Sequence, residues 1–496
     1  MDSTRWKRVV ITLVLGLFAF VGLGGWALAS PVGSAPDDDY HLASIWCAGG
    51  EREGICEAGA QPDSRVIPEW LNLSTHCFAY QEEESAACVP VRDATIDTTR
   101  GNFAGAYPPV FYTAMSVFAG EDIALSTVLM RLFNAALFVG VIVSILAFLR
   151  PGQRGPLLWS AVATLVPLGM FIVPSVNPSS WAVMSGLTVW IALTGYFTAD
   201  RRAAKIVLGG LALLLAVMGA GSRGDAGVFV AVGAVVAAVL TFSKTRAWLL
   251  QALVPLGVIV IGAAFFLSSG QATGAAASGV ESAPSEGSRL GLLLSNFLGL
   301  PELWAGHLGT WGLGWLDTPM LPTVWAVMIA VSGAVVFWGL RVVGWRKGLS
   351  LAMLACVLIA LPLYILHGWR ASVGSEVQPR YLLPLMLMFV GVAVWGLTRD
   401  DLGLGKLQAA IVFGGVAIAN ARALHLTMRR YITGTDEKSF NLNARVEWWW
   451  SIPAQPMTVW IIGSAAFALL LLGLYAILFT ERGRRLFPLS ETVRTP

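Results

Sequence analysis

The run VVITLVLGLFAFVGLGGWALA (residues 9–29) is followed, four residues later, by SAPDDDYHLASIWCAGG (residues 34–50). An apolar run of that length matches the roughly 20 residues a helix needs to cross a bilayer. An aspartate at mid-bilayer costs about 2.5–3.5 kcal/mol on the insertion scale. Asp37, Asp38 and Asp39 therefore belong outside the hydrocarbon, at the membrane's edge. Pro36 favours a turn there, and Asp37 or Asp38 can cap a helix over DYHLASIWCA. A helix cap plus solvated charges is the simplest reading of the triplet. Three adjacent carboxylates also repel one another, so one should hold its proton to higher pH. His41 falls one helical turn away.

The rest of the chain carries the same signal. Of 496 residues, 56% are hydrophobic and 13% charged, against about 25% charged in soluble domains. Mean hydropathy is +0.68. The chain reads as an all-α polytopic membrane protein of about twelve transmembrane helices, near 9–29, 123–149, 157–174, 180–198, 204–220, 227–242, 248–267, 322–340, 349–366, 381–397, 406–424 and 457–479. The pair 204–220 and 227–242 is short and interrupted by GSRGDAG, as tilted or broken helices would be. The net charge of +3 comes from scattered basic clusters rather than one stripe, which argues against nucleic acid as a partner.

Sidedness tests this count. With RWKR at the N-terminus in the cytoplasm, alternation puts Arg150/Arg154, Arg201/Arg202/Lys205, Lys244/Arg246, Arg341/Arg346/Lys347, Arg399/Lys406 and Arg482/Arg484/Arg485 on the same side, as the positive-inside rule requires. His41, His76, His307, His367 and His425 fall on the other. The expected division is a first helix over 1–29, an extracytoplasmic loop over 30–122, helices two to seven over 123–267, an outer loop over 268–321, helices eight to eleven over 322–424, an outer loop over 425–456, and a last helix with cytoplasmic tail over 457–496. Ala27-Leu28-Ala29 imitates a signal-peptidase site, but the apolar run exceeds a usual signal core and reads as a retained anchor. Within 268–321, a Gly/Ala/Ser-rich stretch precedes a Trp- and Leu-rich one that reads as an interfacial helix.

Cys47, Cys56, Cys77 and Cys88 cluster in the first outer loop. The local pairs 47–56 and 77–88 would each stabilise by roughly 2–3 kcal/mol in an oxidising compartment. Zinc is the competing reading, and neither spacing resembles a C-x2-C knuckle.

Two further segments carry polar chemistry. In GNFAGAYPPVFYTAMSVFAGED (101–122), Tyr107-Pro108-Pro109 precedes an apolar run too short to span, and Arg131 then falls about two turns inside the next helix. A buried arginine there wants an anionic partner, unless it snorkels to the headgroups. In HGWRASVGSEVQPRYLLPL (367–385), Arg370 and Arg380 bracket an outer loop, and Arg380-Tyr381 opens a helix. A helix N-terminus beside a guanidinium suits phosphate. Asp317 in GWLDTP and Asn177 in PSVNPSS are turn chemistry first. Arg223/Asp225 suits an ion pair. No P-loop, G-x-S-x-G, HExxH or Rossmann fingerprint occurs.

Taken in order, Asp37-Asp38, then Tyr107-Pro108-Pro109-Val110-Phe111-Tyr112, then Arg131, then Gln378-Pro379-Arg380-Tyr381-Leu382-Leu383-Pro384 resemble the signature of the GT-C superfamily of membrane glycosyltransferases. Within it, the D-D-x-x-H, GWLDTP and QPRYLLP motifs are most similar to a bacterial family known only as a domain of unknown function. The resemblance implies a polyprenyl-phosphate-linked sugar donor, an envelope glycan or glycolipid acceptor, and inverting transfer at the outer face of the plasma membrane. It implies that Asp37, Asp38 or Asp39 acts as base beside His41, and that Arg380, Arg370, Arg131 and Tyr381 hold the donor phosphate. Tyr107, Tyr112, Asp317 and His367 would line the substrate pocket. Some relatives use Mg2+ or Mn2+, which clustered carboxylates could hold. The alternatives are a transporter or flippase of a lipid-linked saccharide, and a non-catalytic envelope scaffold. The first would place charges along a path through the bilayer; here they gather at the two faces.

Overall fold

A computed structural model describes residues 3–73, 76–89, 93–270, 288–375, 377–397 and 404–487. The Gly/Ala/Ser-rich stretch (271–287), Arg399 and the tail from 488 lie outside the described residues, as do the side chains of Arg482, Arg484 and Arg485. Among the described residues, ten helices are long and apolar enough to cross a membrane: Trp6–Ala27, Ile123–Phe148, Ser179–Thr198, Arg202–Ala220, Gly224–Thr241, Arg246–Ser268, Pro322–Gly339, Trp345–Trp369, Lys406–Ile432 and Pro456–Phe479. The chain is a multi-pass membrane protein.

Two of the twelve expected spans differ. The run 157–174 is divided into helices Pro151–Thr164 and Leu168–Ile172, because Pro167 has no N–H to continue the ladder. The run 381–397 forms Pro379–Ala393, whose 15 residues rise only about 22 Å. Both sit in the interior, against Ser179–Thr198, the most buried of the long helices. Contact there is close: a Cβ on Gly186 would lie 2.4 Å from Pro384 Cβ. By contrast the segments around GSRGDAG are continuous helices, Arg202–Ala220 and Gly224–Thr241. Outer helices turn residues such as Leu13, Ile206, Phe337 and Leu407 outward, as lipid-facing surfaces do.

One end of the bundle is capped by residues 30–122. The cap holds helix Asp38–Ala48 and a small antiparallel sheet, Glu57–Ala58, Arg65–Pro68 and Thr95–Thr98, with Val66 opposite Asp97. The sheet adds strands to the expected all-α chain. Disulfides join Cys47 to Cys56 and Cys77 to Cys88. The Trp- and Leu-rich stretch forms helix Arg289–Ala305, with Leu290, Leu294 and Leu298 exposed.

The loop expected from 425 begins later, because helix Lys406–Ile432 runs on to Ile432. Its polar last turns are paired rather than solvated. His425 Nε2 lies 2.8 Å from Phe440 O, and Arg429 Nη2 donates to Ser439 O and Asn441 O, each at 2.7 Å.

Candidate functional site

The turn that carries the aspartates is held from every side. Arg131, buried in helix Ile123–Phe148, donates to Ala27 O (3.0 Å), Ser30 O (2.5 Å), Pro31 O (2.6 Å) and Ser34 Oγ (3.1 Å). Asn177 Nδ2 and Arg380 Nη1 both donate to Pro36 O, at 2.7 and 3.2 Å, and Trp315 Nε1 donates to Gly33 O at 2.9 Å. Arg131 is therefore a positioning residue for the turn. Both of its terminal nitrogens are spent on this turn, three bonds to backbone and one to Ser34, so it holds the turn rather than standing in the expected phosphate set.

Within this clamp Asp37 adopts a left-handed backbone, φ 61°, a conformation aspartate tolerates better than most residues. Asp37 precedes helix Asp38–Ala48 at the cap position, yet its carboxylate does not cap. It turns instead to two arginines: Arg380 Nη2 lies 2.6 Å from Oδ2, and Arg100 Nη2 lies 3.7 Å from Oδ1. Arg100 also grips Asp39, Nε to Oδ2 at 2.7 Å and Nη2 to Oδ1 at 3.2 Å.

The three aspartates have unlike environments. Asp37 keeps 21% of its side chain exposed. Burial pushes its carboxyl up, but neighbouring positive charge and hydrogen bonding, above all from Arg380 and least from Arg100, outweigh that and hold it below the ordinary 3.8. Asp38 is fully buried; Ala35 N donates to its Oδ2 at 3.0 Å and its Oδ1 has no partner. Burial raises it to about 7, against the opposing pull of Arg131 and the Ala35 N–H. One carboxyl of the triplet thus retains its proton, chiefly through desolvation and only secondarily through its neighbours' charge. His41 is buried too, its Nδ1 2.9 Å from Tyr112 Oη, with the rings of Tyr40, Tyr107 and Tyr112 around it. Burial drops it to about 3, so it is a neutral ring orienting tyrosines rather than a cation facing a phosphate.

Arg380 sits at the N-terminus of Pro379–Ala393, buried, with Tyr381 Oη accepting from Nη2 at 3.0 Å. A second arginine shares that tyrosine. Arg223 and Arg380 lie 4.6 and 5.0 Å from the centre of the Tyr381 ring. Arg223 pairs with Asp225 through Nε (2.9 Å) and Nη2 (2.7 Å), and donates from Nη1 to Ser179 Oγ at 3.2 Å. Three helix N-termini thus converge on the cluster, those of Ser179–Thr198, Gly224–Thr241 and Pro379–Ala393. Aligned peptide dipoles there favour an anion. Beside the cluster, Pro36, Leu168, Phe171, Trp311, Leu316 and Arg380 line a narrow apolar cleft of about 20 Å³, room for a single water.

The other expected site residues divide between the cluster and positions away from it. Tyr107 packs near the centre, its N–H bonded to Asn102 Oδ1 at 2.7 Å. Arg370 and His367 are exposed at the C-terminal end of Trp345–Trp369, with no hydrogen bond or ion pair to the cluster among the described residues. The helix ends in a left-handed Arg370, φ 52°, which directs the chain back toward Gln378 rather than directing that side chain inward. Asp317 is buried and saturated: it accepts from Arg430 Nη2 (2.9 Å), Tyr80 N (3.1 Å) and Thr318 Oγ1 (3.2 Å). Arg430 in turn donates to Phe78 O at 2.7 Å. That pair ties two loops to a helix end. Arg100 and Arg223 are the residues the sequence underplayed. The signal was there, since both are arginines in segments that alternation from a cytoplasmic N-terminus would put opposite the basic clusters, where few are expected.

The donor set does not suit a divalent cation. Asp37 and Asp39 are already matched by Arg100 and Arg380, and among the described residues no three His, Cys, Asp or Glu side chains gather as ligands.

Fold and site together define a polytopic membrane protein with a clamped, charge-balanced cluster of aspartates and arginines under an extramembrane cap. Residues 19–389 match the model of a family described as predicted membrane protein (DUF2142), and the chain belongs to that family. No curated protein matches the sequence.

Proposed function

We propose that the chain is a GT-C-type glycosyltransferase that moves a sugar from a polyprenyl-phosphate donor to a hydroxyl of an envelope glycan or glycolipid, at the extracytoplasmic face of a bacterial plasma membrane. The observation that carries this reading is the contact between Asp37 and Arg380, 343 positions apart and 2.6 Å from each other. A general base and an anion-binding guanidinium at one opening are what a displacement at a phosphate-bearing anomeric carbon requires. The converging helix N-termini supply further positive potential for the phosphate. The distribution of basic clusters supports a cytoplasmic N-terminus.

In this reading Asp37, the exposed member of the triplet, takes the proton from the acceptor hydroxyl. The acceptor oxygen forms a bond to the anomeric carbon from the face opposite the phosphate. The carbon–oxygen bond to the phosphate breaks, and its electron pair leaves with the polyprenyl phosphate beside Arg380 and Arg223. Asp38, buried behind, shapes the turn. Its test is transfer of labelled sugar from a panel of synthetic polyprenyl-phosphate sugars to envelope acceptors by the purified protein. Asp37→Asn should lower turnover by about 10²–10⁴-fold while the protein still elutes as a folded species. Wild-type turnover in Asp37→Asn would remove the general base from the scheme.

A further inference from the structure

We infer that the donor's phosphate and the Asp37 carboxylate compete for one guanidinium, that of Arg380, so that binding of the lipid phosphate is the event that releases the base. This rests on the reading of the site as one for a polyprenyl phosphate.

As it stands, Asp37 is an encumbered base. Its Oδ2 is 2.6 Å from Arg380 Nη2 and its Oδ1 faces Arg100 at 3.7 Å. A carboxylate bound this way is a poor proton acceptor, because taking a proton forfeits the charge-assisted bond. Arg380 is equally committed: Nη2 serves Asp37 and Tyr381 Oη, Nη1 serves Pro36 O, and only Nε is left without a partner. Among these partners Asp37 alone is an anion, so it is the group an incoming phosphate displaces.

Local charge points the same way. Arg100, Arg223 and Arg380 face Asp37, Asp39 and Asp225 in matched pairs. Each of these three guanidiniums is already matched by a carboxylate, so an incoming phosphate has to displace one to be held. The phosphate's charge beside Asp37 makes that carboxylate more basic, and the acceptor's proton offsets it. Arg100 gives the displaced carboxylate somewhere to go: it already lies 3.7 Å from Oδ1 while gripping Asp39. Occupied donor site and competent base are thereby coupled, and an empty site holds its base in check.

Farnesyl phosphate in detergent is the probe, its dissociation constant read by calorimetry for wild type, Asp37→Asn, Arg380→Gln and the double variant. Asp37→Asn should bind it about tenfold more tightly, since a competitor for a largely buried arginine is gone. Arg380→Gln should weaken binding, and the double variant should show no gain from the Asn. Equal or weaker binding by Asp37→Asn, with Arg380→Gln still weakened, overturns the competition and leaves the phosphate reading intact. If Arg380→Gln binds as well as wild type, the phosphate reading itself falls. Should Asp37→Asn fail to fold, cryo-microscopy of the wild-type protein with farnesyl phosphate decides. Phosphate against Arg380 with Asp37 more than about 4 Å away supports the exchange. An intact bridge beside bound phosphate overturns it.

Discussion

Asp38 offers a sharp test of how the cap is built, through the variant Asp38→Asn. The carboxyl is fully buried, has one hydrogen-bond donor at Ala35 N, and is raised from 3.8 to about 7 by burial. At low pH the folded and unfolded chains both carry the proton and the site costs nothing. Above pH 4 the unfolded chain releases it while the folded chain keeps it, so stability falls as pH rises, until the folded carboxyl also ionises near 7. The full interval corresponds to at most roughly 4 kcal/mol lost by pH 8. Asparagine retains the acceptor for Ala35 N–H and has no charge to desolvate. Thermal unfolding in detergent, followed by tryptophan fluorescence from pH 5 to 8, should show a melting temperature that declines for wild type and is flat for Asp38→Asn, with the variant several degrees higher at pH 8. A decline of equal slope in the variant would show that Asp38 ionises as an ordinary aspartate and that the pH dependence arises elsewhere.

Other outcomes follow from the clamp and the loop tie. Arg131→Met strands the carbonyls of Ala27, Ser30 and Pro31 and should cost more than about 3 kcal/mol, read as lost melting temperature. Arg131→Lys should recover only part, because an ammonium lacks the planar fork. Asp317→Asn or Arg430→Met, each breaking a pair whose side chains are 2% and 0% exposed, should each destabilise by about 3–5 kcal/mol. The double variant should cost less than the two together in a double-mutant cycle.

Much of the site was legible in the order of its motifs. The Asp triplet and Arg380 were placed on one side by counting spans, and they meet. What spacing could not decide was which aspartate faces the opening. That depends on a left-handed residue at 37 and on the four side chains holding the turn, Arg131, Asn177, Trp315 and Arg380, and both are tertiary. Asp317 looked like a pocket residue because a sequence does not show that Arg430 will neutralise it. Arg430 itself was hidden in a supposed loop: charged residues lowered the hydropathy of a helix that stays helical because its charges are paired. Arg223 was read as half of an ion pair, which it is. Its nearness to Tyr381 needs two helix ends to meet from positions far apart in the chain.

The long separation between Asp37 and Arg380 also has a bearing on biogenesis. At roughly 5–20 residues per second, the ribosome needs about 17–70 s to make the chain between them. Arg430, which fastens the first loop through Phe78 O, comes later still. Throughout that interval the acidic turn has emerged without its distant partners, and water must solvate its carboxylates. The cap is therefore among the first segments translated and among the last to reach its final packing, which makes it the part of the nascent protein most open to proteases and quality control.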